Sequence, residues 1–126
     1  MGSSERRGTP SAAFIERRSA RQNAAMTVAR MWESRLDDGL VDAFFDHVAR
    51  VAWPAFTTAA GFRGGEVYRS DDDGRRAVVV TRWADEASAD SGAAVEAGLA
   101  RFCAREPHAW VFRRVDLPTA RDTPRH

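Results

Sequence analysis

Apolar positions along the chain alternate in some stretches and recur every three or four residues in others, and each change of period marks a new element. From Met26 to Arg35 the pattern is extended: Met26, Val28, Arg30 and Trp32 fall on one face, Thr27, Ala29, Met31 and Glu33 on the other. Neither face is cleanly polar. A helix follows, with Leu40, Phe44, Val48 and Ala52 as its stripe and Val41, Phe45 and Val51 widening it. Asp37 and Asp38 are placed to cap its first turn, while Asp42, Asp46 and Arg50 form the solvent side. Pro54 has no amide hydrogen, so the helix is expected to kink or restart near Ala52, with Phe56 continuing the apolar side and Gly61 ending it.

The stretch from Gly61 to Glu86 organises the rest. Ala77 to Trp83 is its firmest part, because three consecutive valines and a threonine favour a pleated, buried backbone. Asp73-Gly74 is expected to supply a left-handed hairpin turn between this strand and the one before it. Asp85 and Glu86 open a second helical region, which Ser91-Gly92 is expected to split in two, the second piece running from about Ala93 to Ala104 with Val95, Leu99 and Phe102 inward. Ala109 to Leu117 reads as the last strand, with Ala109, Val111, Arg113 and Val115 on one face and Trp110, Phe112 and Arg114 on the other.

The order strand, helix, strand, strand, helix, strand is the α+β, ferredoxin-like βαββαβ arrangement: a four-stranded antiparallel sheet with both helices on one face. The other sheet face is left without cover. It carries valines of the 78–80 run, and a sheet-to-sheet homodimer is the economical way to bury them. The alternative is a monomer whose second face is merely less polar than usual.

Length and composition narrow the class. With 126 residues and a hydrophobic fraction of 44% there is room for one ordinary domain, and no apolar run is long enough to cross a bilayer. A soluble, cytoplasmic protein without membrane partners is expected. All 19 basic residues are Arg, and those in 1–25 exceed the acids there by three, which marks off a polar N-terminal arm. A short helix from Ser11 to Ala24 would form there if Phe14 and Ile15 docked on the domain, and Met26-Thr27-Val28 is equally suited to begin a chain. The domain proper, residues 26–118, has 12 Arg against 15 acids, which argues against nucleic acid as a partner; residues 119–126 form a polar tail. The single cysteine, Cys103, reads as a core thiol, and Asp71 to Asp73 as a solvated hairpin tip.

The segments D-D-G-L-V-D-A-F, P-A-F…A-G-F-R-G-G-E-V-Y and V-V-V-T-R-W-A-D-E together carry a family resemblance. From Met26 to Pro118 the chain resembles the antibiotic biosynthesis monooxygenase family of dimeric α/β-barrel proteins. That resemblance implies a pocket between sheet and helices with Trp83 at its mouth. Members similar to this chain include cofactor-free oxygenases acting on polycyclic phenols and quinols, haem-degrading enzymes and proteins with no known reaction. The haem-degrading branch uses an Asn on the first strand and a His on the second helix. Here the only Asn is Asn23, and no His lies between Trp83 and His108, so haem is not expected.

The expected activity is therefore oxidation of an aromatic natural-product intermediate by O2, with no cofactor and no metal. Ground-state O2 is a triplet, so the substrate must become an electron-rich phenolate or enolate in an apolar cavity that stabilises the anion. Trp83 and Trp32 are candidate walls, His47 is the titratable group best suited to assist deprotonation, and Tyr68 is the phenol that would orient an oxygen. Phe44, Val48, Trp53 and Arg30 are candidate substrate contacts. Each has a bland alternative: core packing for the apolar residues, solvation for His47 and His108, an ion pair for Arg30, Arg82 and Arg113. Two other functions fit the same fold, a non-catalytic binding or assembly module and an O2-independent polyketide cyclase or isomerase.

Overall fold

The structure, a computed structural model, describes residues 27–118. The arm 1–25, Met26 and the tail from 119 lie outside the described residues. Strand β1 (Val28–Arg35) leads through a single turn at Asp38–Leu40 into helix α1 (Val41–His47), a π turn at Val48–Ala52 and helix α2 (Trp53–Thr58). The hairpin β2 (Phe62–Arg69) and β3 (Arg76–Trp83) comes next, then helix α3 (Glu86–Ala97), a short turn at Ala100–Phe102 and strand β4 (His108–Arg113). The sheet is antiparallel throughout in the order β2-β3-β1-β4, the expected ferredoxin-like arrangement.

Register sorts the side chains. Val28, Arg30, Trp32 and Ser34 of β1 stand beside Trp83, Thr81, Val79 and Ala77 of β3 on the helix-covered face. Val28, Trp32, Val79 and Trp83 are buried there with Phe44, Val48, Ala52, Phe56, Leu99 and Phe102 from the helical layer. The alternate positions, Ala29, Met31, Val78, Val80 and Arg82, point the other way, so Arg82 and Trp83 take opposite faces as their parity requires.

Several local expectations change. Pro54 cannot donate to the carbonyl of Arg50, and the chain answers with the π turn just before it, so one wide turn replaces a sharp kink. That wide turn retards the helical phase, leaving Val51 exposed instead of widening the stripe, while Phe56 is buried as expected. Asp37 and Asp38 make no side-chain cap; the Asp37 backbone carbonyl accepts from Leu40 N at 2.9 Å. The first helical unit stops at Thr58, and Gly61, at φ +85°, makes the turn into β2.

The β2–β3 turn is not a left-handed glycine turn, since Gly61 and Gly64 are the only described glycines with positive φ. Asp73 builds it instead: its carboxylate accepts from Arg75 N at 3.0 Å, its carbonyl from Arg76 N at 3.0 Å, and its own amide donates to Ser70 Oγ at 3.1 Å. Helix α3 runs unbroken through Ser91-Gly92, and the interruption falls at Gly98. Its start is as expected, with Asp85 accepting from Ser88 N at 2.8 Å. Strand β4 ends at Arg113, four residues short of the expected limit, and Cys103 is half-buried. Burial pushes its thiol pKa up, and Sγ donates to the Leu99 carbonyl at 3.4 Å. No helix among the described residues is long and apolar enough to cross a membrane.

Candidate functional site

The interior between sheet and helices is filled by two aromatic groups. At one end Trp83 is fully buried against Phe56 and Phe62, with Trp53 edge-on to both of those rings. The Trp83 indole N–H donates to Thr81 Oγ1 at 2.9 Å, so its polar atom is spent within the core. At the other end Trp32 stacks on Phe44 with ring centres 5.7 Å apart, and Phe102 closes edge-on over Phe44. Val48 is buried in the same core.

His47 sits at the rim of this second group, 5.1 Å from the Phe102 ring, and its Nδ1 lies 3.1 Å from Arg101 Nη2. A guanidinium only donates, so in this contact Nδ1 is the accepting atom. Tyr68 lies on the far side of the sheet from Trp83, opposite Val78, and is 54% exposed. The structure thus brings Trp32, Phe44 and His47 into one neighbourhood and Trp53 and Trp83 into another; Tyr68 joins neither.

The open space lies elsewhere. Helix α3 packs over β1 and β3 but leaves β4 uncovered, and all six β4 residues are exposed. The seam between α3 and β4 holds two clefts. One, of about 180 Å³, is walled by Ala93, Ala97 and Ala100, with Trp32, Ala109 and Pro107 opposite and Glu96 at its side. The other, of about 330 Å³, lies where Arg113 pairs with Glu86, beside Asp85 and Ala87. Between them, by register, stands Arg30 next to Val111.

Arg30 is not alone. Its Nε donates to Glu96 Oε2 and its Nη2 to Oε1, both at 2.9 Å, and the two side chains are only 13% and 5% exposed. The bond to Glu96 holds the guanidinium above its ordinary pKa, against the opposing effect of burial. Glu96 escapes a reading by composition because A-A-V-E-A-G-L-A looks like a bland helix end. Its phase is the legible signal: it follows buried Gly92 by four and precedes buried Leu99 by three, so it faces the sheet. The other two arginines also find acids, Arg82 on Glu66 and Arg113 on Glu86.

A family model described as antibiotic biosynthesis monooxygenase matches residues 25–91, which takes in β1 through the first half of α3. The chain belongs to the antibiotic biosynthesis monooxygenase family. No curated protein matches it. Among solved structures, SnoaB from Streptomyces nogalater, a cofactor-independent oxygenase solved in mutant form, is 20% identical with a TM-score of 0.63, covering 75% of this chain and all of its own. A conserved protein from Methanosarcina mazei Go1 is 13% identical with a TM-score of 0.64, over 74% of this chain and 97% of that one. A Nitrosomonas europaea protein of unknown function is 21% identical with a TM-score of 0.59, over 76% and 99%. At these identities the likeness is one of fold, and the family's breadth of function leaves the chemistry of this member to its own residues.

Proposed function

We propose that this family member binds a planar aromatic phenol or quinol in the α3–β4 seam and oxidises it with O2 without a cofactor. The observation that carries the reading is the apolar cleft beside Trp32, walled by small side chains that leave room for a flat ring. Family membership and the likeness to SnoaB support the choice of reaction class.

The chemistry balances without an external reductant. A methylene flanked by phenolic rings gives up electrons as its anion, and O2 takes them. The methylene carbon exchanges both of its hydrogens for one oxygen atom and becomes a ketone; the other oxygen atom leaves with those hydrogens as water. The protein's part is to seat the ring against the Ala93, Ala97 and Trp32 walls, with Arg30, between the two clefts by register, placed to favour the anion. His47 and Trp83 stand outside the seam, the first at the rim of the Trp32–Phe44 group and the second at the centre of the other aromatic group.

The same reading includes a homodimer. Tyr68, Trp110 and Phe112 are 54%, 45% and 49% exposed on the sheet face away from the helices, around Met31, Val78 and Val80. The charges on that face are already paired, Arg82 with Glu66 and Arg76 with Glu33, which lowers the cost of covering it with a second copy.

Oxygen uptake on adding a tricyclic hydroxyanthrone is the test, with Ala97→Trp as the blocking variant. The reading expects uptake matched by ketone and its loss in A97W; uptake that A97W leaves unchanged would sink it. A second reading, a binding or assembly module, is favoured by the separation of His47 and Tyr68 from the seam, since few polar groups converge there. It expects the anthrone to be bound and returned unaltered.

A further inference from the structure

The Arg30–Glu96 pair makes only partial use of its hydrogen-bonding capacity. Glu96 engages Nε and Nη2 of Arg30, and no described residue takes Nη1. Among the described residues no buried side-chain nitrogen or oxygen lacks a partner, so Nη1 must reach the surface. Arg30's neighbour by register on β4 is Val111, which is 52% exposed, so the open side of the pair is the one toward β4. Glu96, for its part, borders the Trp32 cleft, and each of its oxygens retains a lone pair after receiving one N–H.

Glu96 lines the Trp32 cleft and Arg30 stands beside it, between the two clefts by register, so an acceptor and a donor adjoin the more apolar half of the seam. We propose that this pair reads a hydroxyl on the bound ring: the ligand O–H donates to Glu96, and the same oxygen accepts from Nη1 of Arg30. Glu96 and Arg30 become the specificity-determining residues of the seam, an inference that rests on the seam being the ligand site. An ether at that position offers no proton and leaves the carboxylate facing a methyl group, and a bare ring leaves both groups unpaired. Sites built to hydrogen-bond a hydroxyl reject analogues that lack it, because the buried polar groups are stranded.

The experiment is calorimetric titration of the full chain with 2-naphthol and with 2-methoxynaphthalene, which share a ring system and differ in the donor. The expected result is naphthol binding about tenfold tighter, the scale of one well-placed hydrogen bond to a charged group. In Arg30→Met/Glu96→Leu, which replaces the pair by apolar groups of similar length, both ligands should bind with equal affinity. Equal binding of the two ligands to the unsubstituted protein overturns the hydroxyl-reading role while leaving the seam as the site. Binding of neither overturns the seam reading, and with it this one.

Discussion

Gly92 sets its bare α-carbon against the indole of Trp83: a methyl group at position 92 would stand 2.7 Å from Cζ2 and 2.9 Å from Cε2. Those are distances that real carbon atoms avoid, and Trp83 is fully buried and cannot swing aside. An alanine in the middle of a helix normally stabilises it relative to glycine by up to about 1 kcal/mol. Here overpacking wins, and Gly92→Ala should destabilise the fold by about 1–3 kcal/mol in urea or thermal melts. Adding Trp83→Phe removes the six-membered ring's outer edge, so the double variant should lose less than the two single losses together. A G92A protein as stable as the original would mean that α3 stands further from the sheet.

The buried ion pair makes a prediction about asymmetry. Glu96→Ala strands the Arg30 guanidinium and should cost about 3–5 kcal/mol, whereas Arg30→Met/Glu96→Leu should recover most of that loss. Denaturant midpoints of the single and double variants check it. Equal losses in both would show the pair to be a net stabiliser and not a retained polar device.

Capping of α3 brings a pH dependence. Hydrogen bonds from the Ser88 hydroxyl and amide hold the Asp85 carboxyl below its ordinary pKa. A carboxyl depressed in the folded state stabilises the fold above its unfolded pKa, and that contribution fades as pH falls through the folded value. Asp85→Ala should therefore lower the melting temperature at neutral pH, and the gap to the unsubstituted protein should close in acid below the usual carboxylate range. A gap independent of pH would assign the loss to helix propensity alone.

The uncovered sheet face predicts an oligomer that a single charge disrupts. Phe112→Asp places a carboxylate opposite Ala29 and beside Trp110 on that face, and should weaken self-association at least about tenfold in sedimentation equilibrium. Val51→Asp, an equally apolar exposed residue on the helical side, should leave association unchanged. Monomers in every case would remove the homodimer from the functional reading.

Alkylation probes the seam's neighbour. Cys103 is half-buried with its pKa raised by desolvation, so little thiolate exists at neutral pH. Iodoacetamide should modify it about tenfold more slowly than a free thiol at neutral pH, with the rate still rising beyond the ordinary thiol range. Modification as fast as glutathione would place the thiol in open solvent.

Alternation and helical spacing carry information about one element at a time, and those features were legible in the chain. The strand–helix–strand order, the valine strand, the Asp85 cap and the parity that sends Arg82 and Trp83 to opposite faces all follow from local periods of about two and 3.6 residues. So did the need of Arg30 for an acidic partner, because a buried charge requires one wherever it lies. Which acid it would find was not local: Arg30 and Glu96 are 66 residues apart, and only the packing of α3 over β1 joins them. Continuity of α3 through Gly92 likewise depends on a tryptophan from another strand, which outweighs the intrinsic weakness of glycine in a helix. The position of the open space was decided the same way. Aromatic residues named as pocket walls met one another first and closed the interior, and the room they left is the seam that α3 is too narrow to cover.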